Sequence, residues 1–573
     1  MSDLRMTIEN AAGRERRRWP WFVVAAVLVV IVVIAALSMR GGSRSHNVSG
    51  SGDPVRGGTL NFSLIDYQRN PDPQWGTNYA ESLIANNITD KLLWQDPRTG
   101  ELTPWLATAW EHNDALTEFT FHLRHDVSFS DGARFDAEAA KLNFDQYIDG
   151  NSALGIKASG APLFPGYLDS EVIDEYTVRL RFGRPLASAL QAVSFTGDAG
   201  PGFLSPNTLK LSATERSADA TKISGTGPFV YEKWEPQVET VLKRRPGYNW
   251  APPALNHRGE AYLDRIVFRS IPEGSVRTGS LTSGTIDATL DVGTTDEKAL
   301  TAQGYTIISR PVSGTPIYFS FNSQLFPSSD IAVRKAIQLG WSRDALTKTV
   351  LTDSYSVATS VLEPSVPGYV DYSASTLKYD PNAAKSILDA AGWVTGPDGI
   401  RVKQGRKLTL KLLGSNNLVA NKPAYESIQQ DLRKIGIDLQ LTVVPVADST
   451  AARTKAKTDW NIVAGNRSRN DPSALTIQYS PRIGNDCYVD NTSPGIDVAE
   501  LTDTLGRIET TLDPALRSQY TKAAQDLLLK KYALINPVYN TSQVVAHASY
   551  IHGIVFDAQS RNEFVATWKD KTN

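Results

Sequence analysis

Residues 101–147, ELTPWLATAWEHNDALTEFTFHLRHDVSFSDGARFDAEAAKLNFDQY, change hydrophobic period midway, and this restricts the fold more than any other stretch. Phe119, Phe121 and Leu123 alternate with Thr120 and His122, the period of two expected of a half-buried strand. Val127 and Phe129 resume the alternation, and Ser130-Asp131-Gly132 turns the chain. Asp136 then stands where it can N-cap a helix whose Ala140, Phe144, Tyr147 and Ile148 recur at helical spacing. Ahead of the strand, Trp105, Ala109 and Trp110 predict a short helix. Helix, strand, Asp-Gly turn and capped helix make an α/β scaffold piece with no reactive group in it.

The same alternation of strand and helix signals continues through the chain. Gly57 opens a strand, GGTLNFSLID, followed by a loop, NPDPQWGTNY. Val178, Leu180 and Phe182 form a further period-two run. Gly225, Gly227 and Pro228 bend the chain before another strand; with no Gly-Lys-Ser/Thr and no helix behind it, this turn is not a nucleotide-binding loop. After Pro311–Pro316 the pattern restarts: IYFSFN reads as a strand, and Val333, Ala336, Ile337 and Gly340 share a helix face. Asp380 and Pro381 start a helix with Ala384, Ile387, Leu388 and Ala391 inward. Leu408, Leu410 and Leu412 read as a strand; Tyr425, Ile428, Leu432 and Ile435 stripe a helix; IGIDLQLTVV is a strand again. With 573 residues, the chain is too long for one core.

The N-terminus reads differently. RERRR (14–18) precedes a stretch without a polar residue from Trp21 to Leu37, and at about 1.5 Å per residue the segment 19–39 spans a bilayer core. The arginines predict a cytoplasmic N-terminus (1–18) with everything after residue 40 outside. A cleaved signal peptide is the rival reading, but its apolar core would be long and Ala36-Leu37-Ser38 is a weak cleavage site. Residues 40–56, Gly/Ser-rich and without periodicity, read as a flexible linker.

Several motifs resemble those of one family. Pro104, Leu106, Ala107, Trp110, Thr120, Phe121, Leu123, Arg124, Val127, Phe129, Asp131, Gly132, Phe135, Ala137 and Glu138 follow the signature of the family-5 extracellular solute-binding proteins, the peptide and nickel receptors of ABC importers. Ala139-Ala140 departs from that signature, which ends in Asp-Val. Residues 223–250, 261–290 and 380–393 resemble later elements of the family in the same order. The resemblance implies a periplasmic-binding-protein-like α/β fold: lobe 1 over 57–315 with an inserted subdomain, lobe 2 over 316–536, and a C-terminal return to lobe 1 over 537–573. It also implies hinges near 312–317 and 536–541.

Composition and motifs leave little room for other classes. Charge is balanced, 59 basic residues against 61 acidic, so nucleic acid is not an expected partner. A single cysteine, Cys487, excludes an internal disulfide framework and a cysteine-based zinc site. The seven histidines are scattered, and His122 and His125, three apart on a strand, make a poor chelate. No GxSxG, HExxH or Walker-type string is present, so neither an enzyme nor a cofactor or metal is expected.

The informative loop is TDWNIVAGNRSRNDPSALTIQY (458–479). In peptide-binding relatives its counterpart resembles G-W-x-x-D-Y-x-D-P, whose first aspartate accepts the peptide ammonium. Aligned on Asp471-Pro472, Ser468 takes the place of that aspartate, Gly465 that of the tryptophan and Arg469 that of the tyrosine. An ammonium buried without a carboxylate is costly, whereas Arg467 and Arg469 suit a carboxylate or other anion. Two solvated arginines on a loop remain an equal reading, and Asp471 before proline also reads as a turn or cap residue. Asn78 and Tyr79, after the first strand's loop, complete the candidate ligand contacts, with the Gly/Pro-rich stretch 196–203 nearby. The expectation is a membrane-anchored, monomeric receptor that captures a peptide-like or other small solute and delivers it to ABC permease subunits. An anchored sensor of the same fold and, behind it, a surface hydrolase are the alternatives.

Overall fold

The computed structural model describes residues 53–571 apart from 77, 198, 199, 417, 483 and 485. Segment 19–39, expected to be the membrane or signal segment, lies outside the described residues; among these, no helix is long and apolar enough to cross a membrane. Residues from Gly50 onward belong to one compact unit.

Among the described residues two large sheets organise that unit. The first has seven strands in the spatial order Thr306–Pro311, Ser542–His547, Ala288–Leu290, Thr59–Leu64, Arg265–Ser270, Glu239–Arg244 and Phe229–Glu235. Thr59–Leu64 runs parallel to Arg265–Ser270 with Phe62 opposite Phe268, and the two rings meet edge to face at 5.9 Å. The second sheet has six strands: Ser356–Val357, Ile535–Asn540, Gly314–Phe321, Ile462–Ser468, Thr409–Ser415 and Asp438–Val444. Leu408, Leu410 and Leu412 are buried there against Ala424, Tyr425, Ile428 and Leu432 of the helix Asn421–Lys434, so strand and helix bury the faces that their periods mark.

The chain passes between the sheets twice. It leaves the first after Pro311 and enters the second at Gly314; it returns between Asn540 and Ser542. The crossovers lie side by side, the Val312 N–H donating to the Thr541 carbonyl at 2.8 Å. The expected boundary at 536/537 therefore falls inside Ile535–Asn540, a strand that pairs wholly within the second sheet, and the return begins at Ser542.

Residues 107–182 build a four-stranded antiparallel sheet, Ala107–His112, Glu118–Leu123, Thr177–Phe182 and Tyr167–Asp174 in spatial order, with the helix Ala137–Asp149 packed on it. Asp136 caps that helix, accepting from the Ala139 N–H, and Ala140, Phe144, Tyr147 and Ile148 are buried. Phe119, Phe121, Phe144 and Phe62 belong to one apolar core, so this small sheet is fused to the first large one.

The short helix expected from Trp105, Ala109 and Trp110 is a strand, Ala107–His112. It forms the edge of the small sheet, and a register shift between Ala107 and Ala109 breaks the simple alternation. With one partner and one bulge, its apolar residues recur at a spacing that imitates a helix turn. Trp105 lies just outside the strand, buried, its indole N–H on the Trp250 carbonyl at 3.1 Å.

Candidate functional site

The arginine loop leaves the second sheet at Ser468, beside the first crossover. Gly314 makes this possible: its φ is +132°, and a Cβ there would stand 2.0 Å from the Arg467 carbonyl oxygen. The Arg467 N–H donates to Thr315 Oγ1 at 2.7 Å and the Arg469 N–H to the Ser313 carbonyl at 2.9 Å. From the other side the loop is held by the first half. Ser468 Oγ donates to Gln559 Oε1 at 2.6 Å, and Gln559 Nε2 donates to Asn470 Oδ1 at 2.6 Å. Asn470 Nδ2 donates to Gln95 Oε1, whose amide returns a longer bond, 3.3 Å, to the Asn470 carbonyl. Ser468 thus spends its hydroxyl on a contact between the two halves.

The charges on the loop are unequally matched. Asp471 is fully buried and paired to Arg517 by two bonds of 2.6 and 2.8 Å, while also accepting from the Ser473 N–H at 2.8 Å. Burial pushes its carboxyl up, but the Arg517 guanidinium outweighs that and holds it below the usual range. Glu509 goes the other way: burial, with Asp471 adding to it, raises its carboxyl. Its Oε1 is buried without a hydrogen-bond partner.

Arg469 is different. Its Nε donates to Ser473 Oγ at 3.2 Å and its guanidinium lies over the Phe195 ring at 6.0 Å. Among the described residues no carboxylate lies within 4.0 Å of it. Burial lowers its proton affinity, Asp471 and Glu509 pulling the other way. With Asp471 committed to Arg517, Arg469 is left at the contact between the halves with no ion-pair partner within 4.0 Å among the described residues. Arg467, by contrast, is exposed.

Asn78 and Tyr79 are in part consumed by structure. Asn78 caps the helix Tyr79–Ile88 in a reciprocal capping box with Glu81. The Tyr79 hydroxyl donates to the Ser560 carbonyl at 2.8 Å and its ring lies under Arg561 at 4.3 Å. Tyr79 and Ser468 therefore meet one short segment, Gln559–Arg561. Sequence reasoning missed that segment; the signal was a polar run, DAQSRN, following the strand-like tail. Of the stretch 196–203, Asp198 and Ala199 lie outside the described residues, whereas Phe203 packs on Phe135 and Phe144 and Phe195, just before it, reaches Arg469.

Where the peptide-binding pattern has a tryptophan, Gly465 leaves no room for one. A Cβ would lie 2.7 Å from Asp486 Oδ2 and 3.0 Å from the Tyr318 hydroxyl. Asp486, buried, accepts from the Tyr318 hydroxyl at 2.6 Å and from Arg453, so an ion pair occupies that space.

Two sheets are thus linked by paired crossovers, and a loop of the second is hydrogen-bonded to the first half. The chain belongs to the bacterial extracellular solute-binding proteins, family 5, which it matches over residues 101–485. It is 28% identical over 367 residues to the nickel-binding periplasmic protein of Escherichia coli K12, covering 63% of this chain and 66% of that protein. It is 24% identical over 494 residues to the glutathione-binding protein GsiB of E. coli K12, covering 84% of this chain and 89% of that protein. Its fold matches NikA of Brucella suis in complex with Fe(III)-EDTA with a TM-score of 0.75 and 23% identity, covering 90% of this chain and 100% of that one.

Proposed function

We propose that this protein captures a small solute bearing a carboxylate or equivalent anionic group, and presents it to the permease of an ABC importer. The observation that carries the reading is Arg469, a partly buried guanidinium in the seam with no carboxylate within 4.0 Å among the described residues. A buried cation is stable only when something answers its charge, and a planar fork favours a carboxylate. Ser468 in place of an aspartate, and Gly465 in place of a tryptophan, argue against the usual reading of a peptide ammonium. Glutathione, named for one relative, and Fe(III)-EDTA, bound in another, both carry carboxylates. Among the described residues no cluster of His, Cys, Asp and Glu could hold a bare metal ion, so a metal cargo enters this reading inside its own chelator.

The two sheets are the cores of two lobes that rotate about the crossovers at 312–313 and 541. The apolar segment 19–39 tethers the receptor, a monomer, to the outer face of the membrane.

The test is a titration of the full chain with paired ligands that differ only in carboxylate against carboxamide, such as a tripeptide acid and its amide. The acid is expected to bind at least about tenfold tighter, and Arg469→Gln to abolish the difference. Equal affinity for acid and amide in the native protein would overturn the reading.

A further inference from the structure

A second place joins the two halves, at the first crossover rather than at the arginine loop. Residues 97–98 and 310–311 from the first half and 363–365 from the second line an open cleft of about 280 Å³. Arg310, the penultimate residue of strand Thr306–Pro311 before the crossover, lines it with no ion pair within 4.0 Å and no side-chain hydrogen bond among the described residues. Its Nε is buried and lacks an acceptor. Arg98, on a turn of the first half, adds a second guanidinium, 75% exposed and only loosely paired to Asp96 at 3.7 Å. Glu363 is the acid of the lining, and its Oε2 already accepts from the Ser365 N–H at 2.9 Å and from the Ser365 hydroxyl. Burial works against the Arg310 charge; Glu363, Asp557 and Asp96 favour it, and Arg98 opposes it. A charged side chain without a hydrogen-bond acceptor is rare in a folded protein, and Arg310 lines a space large enough for a ligand.

We propose that this cleft is a second ligand site, for a compact oxyanion, carboxylate or phosphate, held by the Arg310 guanidinium with Arg98 closing over it. A cation is disfavoured by two guanidinium groups. A neutral solute would leave the Arg310 donors with a weaker acceptor. Because the lining comes from both halves beside the crossover, the bound anion stiffens the joint on which they turn.

Calorimetric titration of the full chain with sodium phosphate, sodium acetate and, as a neutral control, urea tests this. At least one anion is expected to bind at a site that Arg469→Gln leaves intact. Arg310→Gln should weaken it by about tenfold or more, and Arg310→Lys by less, since lysine keeps charge without the fork. Glu363→Gln should tighten it. The anion with the higher affinity identifies the chemistry. The proposal is overturned by undiminished binding in Arg310→Gln, by binding lost in Arg469→Gln alone, or by no saturable binding below roughly 50 mM. If Arg310→Gln does not fold, Arg98→Gln and Glu363→Gln decide: weaker and tighter binding respectively support the site, and no change in both refutes it. The Arg469→Gln arm separates this site from the seam, so the two proposals fail independently.

Discussion

Asp471 shows how a residue's neighbourhood can decide its role. Its place before Pro472 marks a turn, and the Ser473 N–H does bond to it, but its larger partner, Arg517, comes from a helix far along the chain and leaves no local signature. With both ends of the pair buried, removing one leaves an uncompensated charge, which costs about 3–5 kcal/mol. Asp471→Asn is therefore expected to lower unfolding stability by about that amount at pH 7, read by urea denaturation. The pH dependence has a definite sign. The folded carboxyl lies below its ordinary value, so the contribution is complete above the unfolded value of about 3.9 and is lost as pH falls from there through the folded value. The stability gap between native protein and variant should thus be flat from pH 7 to about 5 and shrink below about 4. A gap that persists undiminished into strong acid would show that charge pairing is not its origin.

The elements were legible where a single face is buried and illegible where pairing decides. The Asp136 cap, the stripe of Ala140, Phe144, Tyr147 and Ile148, and the alternation of Phe119, Phe121 and Leu123 all carry their own period, and each became the element that period implies. Ala107–His112 did not: an edge strand with one bulge has too little burial to impose alternation. The glycines of residues 225–228 were read as a bend, but their reason is packing. The Gly227 N–H donates to the Ile88 carbonyl at 3.0 Å, and a Cβ on Gly227 would stand 2.5 Å from the Ile88 carbonyl carbon. The end of the helix Tyr79–Ile88 thus lies directly on the strand's entry, so the bend positions Tyr79 through its helix. Gly227→Ala should force these backbones apart and cost about 1–3 kcal/mol in chemical denaturation. The ordinary cost of a surface Gly→Ala change, under about 0.5 kcal/mol, would show that the contact yields freely.

At the scale of the whole molecule, the candidate site depends on residues that no local pattern could have joined. Ser468 and Asn470 belong to one half, Gln95 and Gln559 to the other, and the bonds among them bridge chain separations that only the fold closes. Arg469 was legible as a charge on a loop; that Asp471 is already spoken for, and that Phe195 lies beneath it, was not. The glutamine contacts also bear on motion. If the halves rotate about the paired crossovers, these bonds exist only when the seam is closed, so they bias the closed form. The combined change Gln95→Ala and Gln559→Ala should then reduce solute affinity by the loss in closed population, about five- to tenfold for one or two net hydrogen bonds. Most of the change should appear as faster dissociation, because the seam reopens more readily once solute is bound. Small-angle scattering of the solute-free variant should report a larger radius of gyration than the native chain. An unchanged radius together with unchanged dissociation would mean that the bonds fix the loop rather than the angle between the halves, and the rotation would need another latch.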